Sequence, residues 1–92
     1  METKYIYTNY MIQNQDGMFL SVAGIMTLMT LVDNYSDDKY TNEPQFGWPF
    51  DNIKSAQDTA DKINKIYDDS GVQKHVHIVK INSTFTLEEI IK

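Results

Sequence analysis

The chain has no arginine, no cysteine and only two histidines among its 92 residues. Without cysteine there is neither a disulfide framework nor a thiolate zinc site, which fits a reducing compartment. Without arginine the chain loses the side chain behind most bidentate phosphate and guanine contacts. It also lacks a nucleophile elbow, a phosphate-binding loop and a dinucleotide fingerprint. Long apolar runs are missing too. The most apolar stretch, Ala23 to Val32, is ten residues with two threonines, whereas a membrane-spanning helix needs about 20. The N-terminus, METKYIYTNY, has no basic region followed by an apolar run, so no signal peptide is read there. The expected address is the cytoplasm, without a membrane.

What remains is 41% hydrophobic and 12% aromatic residues, enough to fold as one domain over residues 1–92 but with a thin stability margin at this size. Thirteen acidic side chains against eight lysines give a net charge of −5. Such a surface repels nucleic-acid phosphate and favours a basic protein partner. The same excess also serves solubility alone.

Tyr5 to Gln13 (YIYTNYMIQ) is rich in β-branched and aromatic residues, and Asp16-Gly17 suits a hairpin turn. Met18 to Ala23 then predicts a returning strand. Alternation puts Ile6, Thr8, Tyr10 and Ile12 on one face of the first strand, and Tyr5, Tyr7, Asn9 and Met11 on the other. Both faces carry aromatics, so one covers the core and the second is half-covered or forms a contact surface. Ile25 to Val32 reads as a third strand, although its methionines and leucine also suit a helix.

Ile53, Ala56, Ala60, Ile63 and Tyr67 repeat at helical spacing, with Ile66 widening the stripe. Lysines and aspartates fill the opposite side, and Asp58–Lys62 and Asp61–Lys65 stand four residues apart in the favourable order. Asp51, Asn52 or Ser55 can cap the start, and Gly71 sits where a left-handed terminus is expected. Val72 to Ile81 reads as a strand, with Val76, Ile78 and Lys80 on one face and His75, His77, Val79 and Ile81 on the other. Thr86-Leu87-Glu88-Glu89 matches a capping box and predicts a short final helix. The expected class is therefore α+β: a three- or four-stranded antiparallel sheet with one main amphipathic helix on a face, in the order β-β-β-α-β.

His75 and His77 lie about 7 Å apart on one strand face, but a metal site needs further ligands and nothing fixes them nearby. No cofactor and no metal are expected, and metal binding by His75 and His77 stands as a minor alternative. The acidic pairs Asp37-Asp38, Asp68-Asp69 and Glu88-Glu89 fall in polar surroundings, where solvation and not acid–base catalysis is the default. The sequence reads as a binding protein and not an enzyme.

Asp33 to Asp51 (DNYSDDKYTNEPQFGWPFD) is the candidate binding segment. Tyr35, Tyr40 and Trp48 are residue types favoured at interfaces, and Asp37, Asp38 and Glu43 select a basic partner. Alternatively, Phe46 to Phe50 folds down as a lid on the core. Self-association through a strand edge or the second hairpin face is a further reading, so both monomer and homodimer stay open.

The hairpin with its Asp16-Gly17 turn, the helix opening Phe50-Asp51-Asn52-Ile53-Lys54-Ser55-Ala56 and the final strand His75 to Ile81 together resemble small accessory proteins. Such proteins are encoded by phages and prophages of low-GC Gram-positive bacteria. The resemblance covers much of the chain through a generic ββαβ plan. It implies an anti-CRISPR or other anti-defence inhibitor that occupies a cationic groove on a nucleic-acid-handling effector.

Overall fold

A computed structural model describes residues 3–26 and 39–89. Its axis is β1 (Thr3–Asn14), which pairs antiparallel along its whole length with β4 (Val76–Leu87), Thr3 lying opposite Leu87 and Asn14 opposite Val76. On the other side of β1 come two short strands, β2 (Phe19–Leu20) and β3 (Tyr40–Thr41), giving the order β3-β2-β1-β4. The class is α+β with one main helix, as the periodicity predicts.

The β1–β2 turn is organised by a residue the sequence pattern does not single out. Asn14 is buried, and its Oδ1 accepts hydrogen bonds from the amides of Asp16 (3.0 Å) and Met18 (2.9 Å). Gly17 takes a positive φ of 83° in that turn, a conformation glycine adopts without steric cost.

The main helix, α2 (Ile53–Asp69), starts where Asn52 Oδ1 accepts from the Ser55 amide at 2.9 Å. It ends in a Schellman arrangement: Val72 N donates to Tyr67 O, Gly71 N donates to Asp68 O, and Gly71 has φ 69°. Its buried stripe is Ala56, Ala60, Ile63 and Tyr67. The two alanines bring the helix close to the sheet, where Ile12, Leu20, Tyr40, Phe50 and Val76 complete the core.

Four local expectations are corrected. Met18 to Ala23 forms a strand only at Phe19–Leu20, followed by an isolated bridge at Ser21. Ser21 then turns the chain into a short helix, α1 (Val22–Met26), its Oγ accepting from the Gly24 amide at 2.9 Å. The strand expected over Ile25 to Val32 is thus helical at Ile25 and Met26, and residues 27–32 lie outside the described set. The third strand is Tyr40–Thr41 instead, from within the acidic stretch. The last strand begins at Val76 and continues to Leu87, so Thr86 opens no helix: its pairing with Lys4 holds it extended. Finally, Ile53 is exposed instead of buried.

The ion pairs on α2 also differ from the expected set. Lys54 meets Asp58 at 3.2 Å and Lys65 meets Asp69 at 2.8 Å, while Asp61 accepts from Gln57 Nε2 at 2.8 Å. Hydrogen bonding and Coulombic attraction to Asp69 raise the Lys65 pKa above 10.5, in a pair that stands in solvent.

Candidate partner-binding face

Register divides the β1–β4 ribbon into two faces. Residues opposite one another share a face, so Tyr10, Ile12, Ile78 and Val76 lie together beneath α2, while Tyr5, Tyr7, Asn9 and Met11 share the reverse face with Phe85, Ser83, Ile81 and Val79. A twelve-residue strand is about 40 Å long, and a 17-residue helix about 26 Å, so the ribbon outruns its cover.

On the reverse face, the segment Pro44–Phe50 covers the base of the ribbon. A 3-10 turn (Pro44–Phe46) leads to Gly47, which bridges to Ser21, and then to Phe50, which exchanges backbone hydrogen bonds with Tyr10 at 2.8 and 3.0 Å. A Cβ on Gly47 would stand 3.2 Å from both Met11 Sδ and Phe19 Cβ, a tight approach that a larger residue meets only if those neighbours give way by a few tenths of an ångström. Between it and the ribbon runs an open groove of about 490 Å³, lined by Asn9, Met11, Val22, Gln45, Ile81 and Phe85 among others.

Beyond the groove the ribbon is bare among the described residues. Tyr5 (44%), Tyr7 (52%) and Phe85 (58%) stand exposed on the reverse face, and Ile6 (73%) on the other. The rings of Tyr7 and Phe85 pack edge to face, 5.4 Å between centroids at 72°, the favoured geometry for an aromatic pair. From Thr3 to Asn9 and from Ile81 to Leu87 the only charge is Lys4. An acidic chain therefore carries an aromatic surface with no carboxylate and one lysine.

The candidate site residues are dispersed. Tyr35, Asp37 and Asp38 lie outside the described residues. Tyr40 is 7% exposed in the core, its hydroxyl 3.1 Å from that of Tyr67, so its ring is unavailable to a partner. Trp48 is half-buried against the core, with its amide bonded to Leu20 O at 2.9 Å, and Phe50 is buried. Trp48 and Phe50 thus follow the lid alternative, whereas Phe46 stays exposed. Glu43 is exposed just before the 3-10 turn.

His75 precedes β4, and His77 Nε2 lies 2.7 Å from Gln13 Oε1. Among the described residues no three His, Cys, Asp or Glu side chains gather as a metal site, and no helix is long and apolar enough to cross a membrane. Phe85 is the surface residue that sequence reasoning missed. The alternation of β4 carries the signal, but it is recognisable only once the strand is known to extend past Ile81.

Comparison with protein-family models, curated proteins and solved structures gave no match.

Proposed function

We propose that this chain is a non-enzymatic protein-binding module whose contact surface is the reverse face of the β1–β4 ribbon. The observation that carries this reading is the exposed set Tyr5, Tyr7 and Phe85 beside the groove, in a stretch with one charge. Contiguous exposed aromatics mark interaction sites, and tyrosine supplies large contact area at low entropic cost. The partner class favoured by the net charge of −5 is basic. In its narrower form the module is an inhibitor of a nucleic-acid-handling protein, presenting carboxylates where that protein expects phosphates. That form relies on Glu43 and on Asp37 and Asp38.

Capture from cell extract with wild-type protein and with the double variant Tyr7→Ser/Phe85→Ser tests the reading. A saturable binder retained by the wild type and lost by the folded variant is expected. Equal retention by both would refute the ribbon as the contact surface. A binder whose affinity falls steeply with salt supports the basic partner, and salt-independent binding removes it.

A further inference from the structure

We infer that the outer edge of β4 pairs with the same edge of a second copy of this chain, antiparallel and centred on Thr84. The direction of each backbone group along β4 follows from hydrogen bonds seen elsewhere. Tyr10 exchanges both of its backbone bonds with Phe50, and Asn14 N donates to Met18 O, so the even residues of β1 point away from β4. Its odd residues therefore point toward β4, which ties the odd residues of β4 to β1 and turns the even ones outward. Val76 confirms the phase, since its outward amide and carbonyl are both held by the Asn64 side chain, at 2.8 and 3.0 Å. Ile78, Lys80, Asn82, Thr84 and Thr86 continue this outward row, and no described residue pairs with their backbone groups. Among the described residues β4 ends the sheet order, so the row is a long strand edge without proline or glycine. Natural sheets rarely leave such an edge uncovered.

Charge selects the occupant and the register. Centring on Thr84 sets Thr84 opposite its own copy, Asn82 opposite Thr86, and Lys80 opposite Glu88, twice by symmetry. Lys80 and Glu88 are both exposed, and neither forms an ion pair with a described residue. On the reverse face Ile81 meets Leu87, and Ser83 meets Phe85. Centring on Lys80 would oppose two lysines, and centring on Asn82 would set Glu88 against Val76, whose backbone is already taken by Asn64. The paired sheets form one eight-stranded sheet from two four-stranded ones. The two aromatic faces become continuous, which deepens the binding reading above without depending on any partner being found.

Sedimentation across a concentration series reads the association directly: a species of twice 10.7 kDa is expected. Thr84→Pro removes an outward amide that β1 does not use, so the monomer keeps its fold and the dimer is lost. Lys80→Glu weakens association about tenfold, and adding Glu88→Lys restores it. The chain has no cysteine, so Thr84→Cys oxidises only to its own copy, across the roughly 5.5 Å Cα separation of a hydrogen-bonded pair, while Asn82→Cys does not cross-link. A monomer at all concentrations, or cross-linking through Asn82→Cys instead, overturns the proposal; should Thr84→Pro unfold, the charge exchange decides. A wild-type protein that dimerises but captures no partner would refute the protein-binding reading alone.

Discussion

Asn64 holds both hydrogen-bonding groups of Val76, its Oδ1 accepting from the amide at 2.8 Å and its Nδ2 donating to the carbonyl at 3.0 Å. A helix side chain thereby acts as a short substitute strand at the base of the sheet edge. Val76 is 1% exposed, so water cannot replace these bonds. Asn64→Leu should cost about 2–3 kcal/mol, from two lost bonds and a buried backbone left unsatisfied. Asn64→Asp keeps the acceptor and should cost less at acidic pH than at neutral pH. Chemical denaturation of the three proteins checks the order.

Tyr40 and Tyr67 join the short strand β3 to α2 through their hydroxyls. A double-mutant cycle with Tyr40→Phe and Tyr67→Phe should give a coupling of about 1 kcal/mol. A coupling near zero would mean that each hydroxyl is satisfied independently.

Gly24 lies against the Lys39 carbonyl and 2.7 Å from Leu20 Cδ1, measured from where a Cβ would stand. Alanine normally strengthens a helix, yet here Gly24→Ala should destabilise by about 2 kcal/mol, because backbone oxygen cannot rotate aside as a side chain can. A higher melting temperature for this variant would contradict the close approach.

Tyr7→Ser and Phe85→Ser remove rings that are half exposed. Each should cost no more than about 1.5 kcal/mol, the scale of one edge-to-face pair. Thermal melts of the variants check this, and the result also validates them as probes of binding.

Lys65 has its pKa raised by Asp69. A cation whose folded pKa is raised contributes stability below its unfolded value, and that contribution disappears as pH climbs through the folded value. The stability difference between wild type and Lys65→Met should therefore be flat around neutrality and shrink only above pH 10.5. Being solvent-exposed, the pair should also lose its effect in high salt. Paired denaturation curves across alkaline pH test the sign.

The helix and the first strand were readable from sequence because their patterns are long and their ends are marked by Asn52, Gly71 and Gly17. The errors have a common origin in short-range signals that long-range pairing overrides. Thr86-Leu87-Glu88-Glu89 has the chemistry of a helix start, yet Lys4 and Thr3 keep Thr86 and Leu87 extended. Ser21, read within a strand, caps a helix because its hydroxyl also donates to Lys39 O at 2.9 Å, a contact across eighteen positions that no local pattern contains. Tyr40 has the look of a surface aromatic in a polar stretch, but pairing with Leu20 and the hydroxyl contact with Tyr67 place it in the core. At the candidate site, the aromatic alternation of β1 was legible, but its partner Phe85 was not, since the second strand of the ribbon was read as ending at Ile81.

The Ser21–Lys39 clasp separates length from stability at one place in the chain. Ser21 binds the Lys39 carbonyl through both its amide and its hydroxyl, at 2.9 Å each, so the fold itself brings together the two ends of everything between them. Closure entropy grows only slowly with the number of residues enclosed, and the anchors stay the same whatever that number is. The entropic cost of closing the chain between these anchors therefore changes little with its length, while the same two hydrogen bonds from Ser21 hold its ends together.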